Sequence, residues 1–128
     1  MIYEQIRELF FLWIGETEAE QSGQRATLCE ELCRQAAGGV ERQTRTDLSE
    51  QERMEYEPAL ENLAAAKAVY DLTLLEERHT PQSISAAELK ISMGEKSGQA
   101  LAFYRQKERE AAPALRGTQF YFGATAYE

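Results

Sequence analysis

Residues 57–78, EPALENLAAAKAVYDLTLLEER, decide the architecture. The stretch reads as one long helix that is apolar around nearly its whole circumference. Ala59, Leu63, Ala66, Tyr70 and Leu74 recur at spacings of three and four, which stacks their side chains on one helix face. Leu60, Ala64, Ala65, Ala68, Val69, Leu72 and Leu75 fill most of the remaining circumference. Glu61, Asn62, Lys67, Asp71 and Thr73 are too scattered to make a solvent face. A helix of this kind belongs in a core, touched on several sides. Its alanines let the neighbours come close.

The totals suit one such core. A chain of 128 residues with 43% apolar and 28% charged residues has the composition of a single folded domain. Net charge is −8, from 22 acidic against 14 basic side chains. That balance works against nonspecific attraction to nucleic acid or to an anionic membrane, both of which need clustered Lys and Arg. The longest apolar run, residues 9–14, is far short of the roughly 20 a membrane helix requires. The first residues carry Glu4 and Glu8 rather than a basic signal region, so synthesis in the cytoplasm without export is expected.

The flanking elements are expected in the following order. A first helix covers residues 2–14, with Ile2, Ile6, Leu9, Phe10 and Trp13 on one face. Phe11, Leu12 and Ile14 add more apolar surface than one packing face needs, and Gly15 ends the helix. That surplus either docks on the central helix or, with Phe11 the best candidate, meets another subunit. A second helix over residues 18–44 carries a core stripe of Leu28, Cys29, Leu32, Cys33, Ala36 and Val40. Ser22-Gly23 and Gly38-Gly39 are its two weak points. Ser49 followed by Glu52 is a capping-box pattern announcing the central helix from about Glu50. Pro58 then predicts a short lead-in helix before the main one, because its ring clashes with the preceding turn.

Beyond His79-Thr80-Pro81 the period changes. Leu89, Ile91 and Met93 alternate with polar residues, which predicts a strand over residues 84–93. Its partner would be the aromatic stretch 119–127, QFYFGATAY, unless each strand pairs with another chain. Between them a last helix is expected over residues 95–112, closed by Pro113 and Gly117. The expected fold is thus a mainly α domain of four to five helices around a buried centre, with a two-stranded β element near the C-terminus.

Catalytic signatures are sought without result. The sequence holds no G-x-x-x-x-G-K-[ST], no G-x-G-x-x-G after a strand, no H-E-x-x-H and no G-x-S-x-G. Cys29 and Cys33 lie four apart, and with a single His they do not suggest a zinc site. They read as buried semi-polar core residues, with a redox pair as the alternative. Glu50/Glu52 and Glu76/Glu77 read as helix-surface charges rather than a tuned carboxylate pair. No catalytic residue, metal, cofactor or small-molecule substrate is expected.

Several short patterns follow one another along the chain: LAAAKAVYDLTL in the Ala-rich helix, SISAAELKI over residues 83–91 in the form S-[IF]-x-A-x-[ED]-[LV]-x-[IV], A-P-x-L at residues 112–115, and F-x-F at residues 120–122. Over residues 28–122 the chain resembles the small proteins encoded in head-morphogenesis regions of prophages in Gram-positive bacteria. More loosely, it is similar to the helical head–tail connector proteins of tailed phages. It departs from the pattern at Ala87, where a glycine is expected, and at Arg116-Gly117, where an acidic pair is common. The resemblance implies a homo-oligomeric virion subunit without catalysis, built in the host cytoplasm between portal and tail-completion proteins. Subunit contacts would then fall on Phe10, Phe11, Trp13, Ile14, Leu89, Ile91, Phe120, Tyr121 and Phe122. The net negative charge would suit a channel through which DNA slides without binding. The rival expectation is a cytoplasmic partner-binding or regulatory protein that dimerises through its first helix; an enzyme with an unrecognised carboxylate site comes third.

Overall fold

In the computed structural model the described residues are 1–17, 23–78 and 86–116, with the side chains of 86–95 set aside. They form four α-helices: α1 (Tyr3–Ile14), α2 (Gly23–Gln43), α3 (Glu50–Arg78) and α4 (Ala86–Ala111), the last followed by a 3-10 turn at Ala112–Ala114. α3 is the axis, and α1, α2 and α4 all pack on it. Between residues 59 and 75 only Leu74 is exposed. Leu60, Leu63, Ala64, Ala65 and Ala68 are buried completely or nearly so. The alanines explain how three helices fit around one: each missing side chain lets a neighbour's backbone approach, and dispersion contacts are kept at short range.

Directions follow from paired residues at the two ends of α3. The N-terminal ammonium of Met1 meets Glu57 at 2.8 Å, while Trp13 and Ile14 share a cleft with Leu72, so α1 runs parallel to α3. Glu41 pairs with Arg53 and Arg25 with Glu76, so α2 runs antiparallel. Tyr104 stacks on Tyr70 with ring centroids 6.0 Å apart, and α4 likewise returns along α3. The core is completed by Ile6 and Phe10 of α1, Cys29, Leu32, Cys33, Ala36 and Val40 of α2, and Ala111, Ala114 and Leu115.

Helix ends are made as local chemistry dictates. Gly15 takes φ 76°, and its N–H donates to the carbonyls of Phe11 and Leu12 while the Glu16 N–H also reaches Phe11. That left-handed turn stops α1 and satisfies carbonyls that would otherwise be orphaned. At the start of α3 the Ser49 N–H donates to Glu52 Oε1 at 2.9 Å, and the Glu52 N–H donates to Ser49 Oγ at 3.1 Å. The reciprocal capping box expected from the sequence is therefore formed.

Three expectations need correction. First, α3 is one continuous helix, with Pro58 inside it and no separate lead-in segment. The carbonyl that Pro58 leaves unpaired belongs to the turn around Met54, which is exposed, so water can serve it. Meanwhile the capping box, the Arg53–Glu41 pair and the Met1–Glu57 pair hold the preceding turns in place. Second, residues 86–93 are helical rather than a strand, and α4 runs on through Gly94 and Gly98. Alternation over five residues is a short signal, and Ala86, Ala87, Glu88, Leu89, Lys90 and Met93 are all strong helix formers. Third, α2 is unbroken at Gly38-Gly39, with Ala36 and Val40 buried on either side. Gly23 opens that helix with φ 59°.

The second strand predicted, over residues 119–127, lies outside the described residues. Among the described residues the one β-type pairing is an antiparallel bridge between Thr44 and Leu115. There the Arg45 N–H donates to the Ala114 carbonyl at 2.8 Å and the Arg116 N–H to the Gln43 carbonyl at 2.6 Å. Arg45 adds a bond from Nη1 to the Pro113 carbonyl at 3.0 Å. The end of α4 is thereby clasped to the α2–α3 connection.

Candidate functional site

The apolar surplus of α1 divides between core and surface in a way its sequence does not announce. Phe10 is 0% exposed and packs edge-on to Phe11, with centroids 5.6 Å apart. The expectation of a subunit contact at Phe10 is thus corrected: α1 lies across α2 and α3 with this ring innermost, beyond a partner's reach. Phe11 is half-buried, with the Arg7 guanidinium 5.8 Å from its ring centre. Trp13 meets Phe103 of α4 edge-on at 4.9 Å, and Lys107 Nζ lies over the same Phe103 ring at 5.1 Å. The residue turned outward is Leu12, at 71% exposed, with Ile2 at 55% just before the helix. Leu28 on α2 and Met54 and Leu74 on α3 are the other large apolar side chains at the surface. Leu89 and Ile91 fall on α4, where only the helix itself is described; Phe120, Tyr121 and Phe122 lie outside the described residues.

Beside Trp13 is a cleft of about 460 Å³, floored by Trp13, Ile14, Val69, Leu72 and Phe103. Its charged rim is already engaged. Arg25 grips Glu16 through Nε and Nη2 and reaches Glu76 through Nη1 at 3.3 Å. The hydrogen bonds from Glu16 hold the guanidinium more firmly protonated than usual, ahead of the opposing effect of its partial burial. This triad ties the end of α1 to α2 and α3. Thr73, also at the cleft, donates its hydroxyl to the Val69 carbonyl at 2.9 Å, so it has no proton left to give a base.

The two cysteines are free thiols buried on one face of α2. Burial pushes the Cys33 thiol up to about 12, with a smaller contribution from the neighbouring Cys29. A thiol so protonated is not a nucleophile at neutral pH. Among the described residues no group of three or more His, Cys, Asp or Glu is placed to hold a metal ion. No helix in the described residues is long and apolar enough to cross a membrane. The polar chemistry that is present closes helix ends and joins helix to helix. What it leaves at the surface is apolar area centred on Leu12. The chain matches no protein-family model, no curated protein and no solved structure.

Proposed function

We propose that the chain is a structural assembly subunit of the phage head–tail connector type, acting through contacts between copies and with portal or tail-completion proteins, without catalysis. The observation that carries the reading is Leu12, 71% exposed at the end of an otherwise packed apolar run on α1. An exposed leucine alone is ordinary; one set beside half-buried Phe11 and the exposed Leu28 of the adjoining helix supports a contact surface. Burying such a side chain in an interface contributes about 1.5–3 kcal/mol. The Arg25 triad and the capping interactions support the same reading, since they supply a rigid body to which a partner can dock without reordering. The net charge of −8 fits a lumen past which DNA slides; charge-reversed variants that package and eject DNA normally would argue against that feature.

The direct test is light scattering over a wide concentration range, on the unmodified chain and on Leu12→Glu. The reading expects a mass well above that of the 14.5 kDa chain, rising with concentration, and a return to monomer in the variant with helical content retained. A mass that saturates at a dimer favours the rival regulatory reading. A persistent monomer that ignores purified portal and tail components contradicts both.

A further inference from the structure

On α3 a trough runs between α2 and α3. One part, about 250 Å³, is lined by Ala36, Gly39, Gln43, Lys67, Asp71 and Tyr104 among others. The other, about 620 Å³, is lined by Leu32, Leu74, Leu75 and Glu77, and the two share Gln35 and Asp71. They are one continuous channel running beside α2 from Gln43 towards Leu32. Its floor is aliphatic, and its central charges, Lys67 and Asp71, neutralise each other at 2.7 Å. An uncharged occupant suits it.

The described chain ends at the mouth of this trough. Leu115 is extended, with φ −100° and ψ 143°, and is bridged antiparallel to Thr44. Arg116 is held at Gln43 by its N–H and at the Thr44 carbonyl by its Nε. The chain therefore passes Thr44 and Gln43 in the direction opposite to α2, heading back along the trough. Residues 117–127 carry no charged side chain and include Phe120, Tyr121, Phe122 and Tyr127. At roughly 3.3 Å per extended residue, Phe120 comes about 13 Å beyond Arg116 and Phe122 about 20 Å. At about 1.5 Å per helical residue, Gln35 and Leu32 lie about 12 and 16 Å from Gln43 along α2. The aromatic pair thus reaches the aliphatic half of the trough.

Gly39 is consistent with such an occupant. A Cβ built there would meet nothing closer than the tip of Arg42, at 3.9 Å, so no crowding among the residues of this chain calls for glycine. Glycine inside a helix is destabilising relative to alanine. Its absent side chain keeps the trough wall low where a second backbone would pass.

We propose that this trough is the seat of the chain's own C-terminal aromatic stretch, residues 119–127, docked within the same molecule. The intersubunit surface then falls to α1 rather than to the tail. The inference does not rest on the assembly reading.

The test replaces Phe122 with p-benzoyl-phenylalanine in the full chain, irradiates it, and maps the crosslinks by mass spectrometry. The expected product has monomer mass and joins Phe122 to the α2 or α3 wall of the trough, with a yield independent of dilution. That result supports the proposal whether or not the chain associates. Gly39→Trp should abolish the crosslink with helical content kept, as should Leu74→Asp, a change at an exposed position that spares the core. Crosslinks of dimer mass, crosslinks to α1, or none to the trough would each overturn it.

Discussion

The backbone N–H of Ile2 donates to Oε2 of Glu61 at 2.8 Å, joining residues 59 positions apart. Glu61 is 8% exposed, on a helix otherwise buried by alanine and leucine. This carboxylate fixes how far α1 slides along α3, and so which of its crowded apolar residues face inward. A buried charge at this position is tolerated because an amide donor, rather than solvent, completes its shell. The neighbouring Met1–Glu57 ion pair makes the same connection one turn earlier.

Glu61→Ala should lower stability by about 1–3 kcal/mol, because it strands the Ile2 amide in a partly buried setting. Glu61→Gln, which keeps an acceptor, should cost less. Denaturant titrations of the three proteins check the order. A variant with alanine as stable as the original would remove this contact from the account.

The alanines of α3 should be intolerant of enlargement. Ala65 is 0% exposed, so Ala65→Leu should destabilise by about 1–3 kcal/mol or prevent folding. Leu63→Ala, which leaves a hole at a nearly fully buried position, should cost about 2–5 kcal/mol. By contrast Leu74→Ala, at the one exposed position of this stretch, should change stability little. Thermal or chemical denaturation separates the three.

How much of this could be read in advance depends on where the information lies. Local signals were legible. Gly15 stopping α1, the Ser49–Glu52 box and the burial of α3 all follow from residues within a turn or two of each other, and each is present. The first predicted strand failed because a period of two over Leu89, Ile91 and Met93 competes with a helical run of greater length on either side. The identity of the exposed residue on α1 was not legible either. Six consecutive apolar residues cover the whole helical circumference, so the side facing out is chosen by long-range contacts such as Ile2 to Glu61 and Trp13 to Phe103. Arg25 carries no local signature; its role appears only when Glu16 and Glu76 arrive from two other segments.

Both thiols should resist alkylation by iodoacetamide in the native protein at neutral pH and react fully on unfolding. Cys33 has the further consequence of an alkaline limit. Its folded value of about 12 lies above the unfolded value of about 8.5. The unfolded chain therefore loses that proton first. The contribution is complete below about pH 8.5 and is lost as pH rises towards 12. Cys33→Ala should flatten stability over that alkaline window; an unchanged slope would assign it to other groups.

On the acid side the Arg45–Asp47 pair behaves in the opposite sense. Both oxygens of Asp47 accept from Arg45, at 2.9 and 2.8 Å, which holds this carboxyl below its ordinary value. A depressed folded value means the contribution is present above the unfolded carboxylate range and lost as pH falls through the lowered value. The Arg34–Glu30 pair acts likewise. Both pairs are solvent-exposed, so the effect is small and shrinks with salt. Asp47→Asn should remove part of the acid-side slope at low ionic strength and little of it at high, as pH-dependent denaturation would record.

The central claim is that α3 is enclosed on every side by its companion helices. Native-state hydrogen exchange, read residue by residue along α3, tests it most directly. The amides of residues 60–72 should be the slowest in the molecule, all of them, opening only with global unfolding. If instead the amides on one side of that helix exchanged as fast as those of its first turns while the other side stayed protected, α3 would be a surface helix and the account would be wrong.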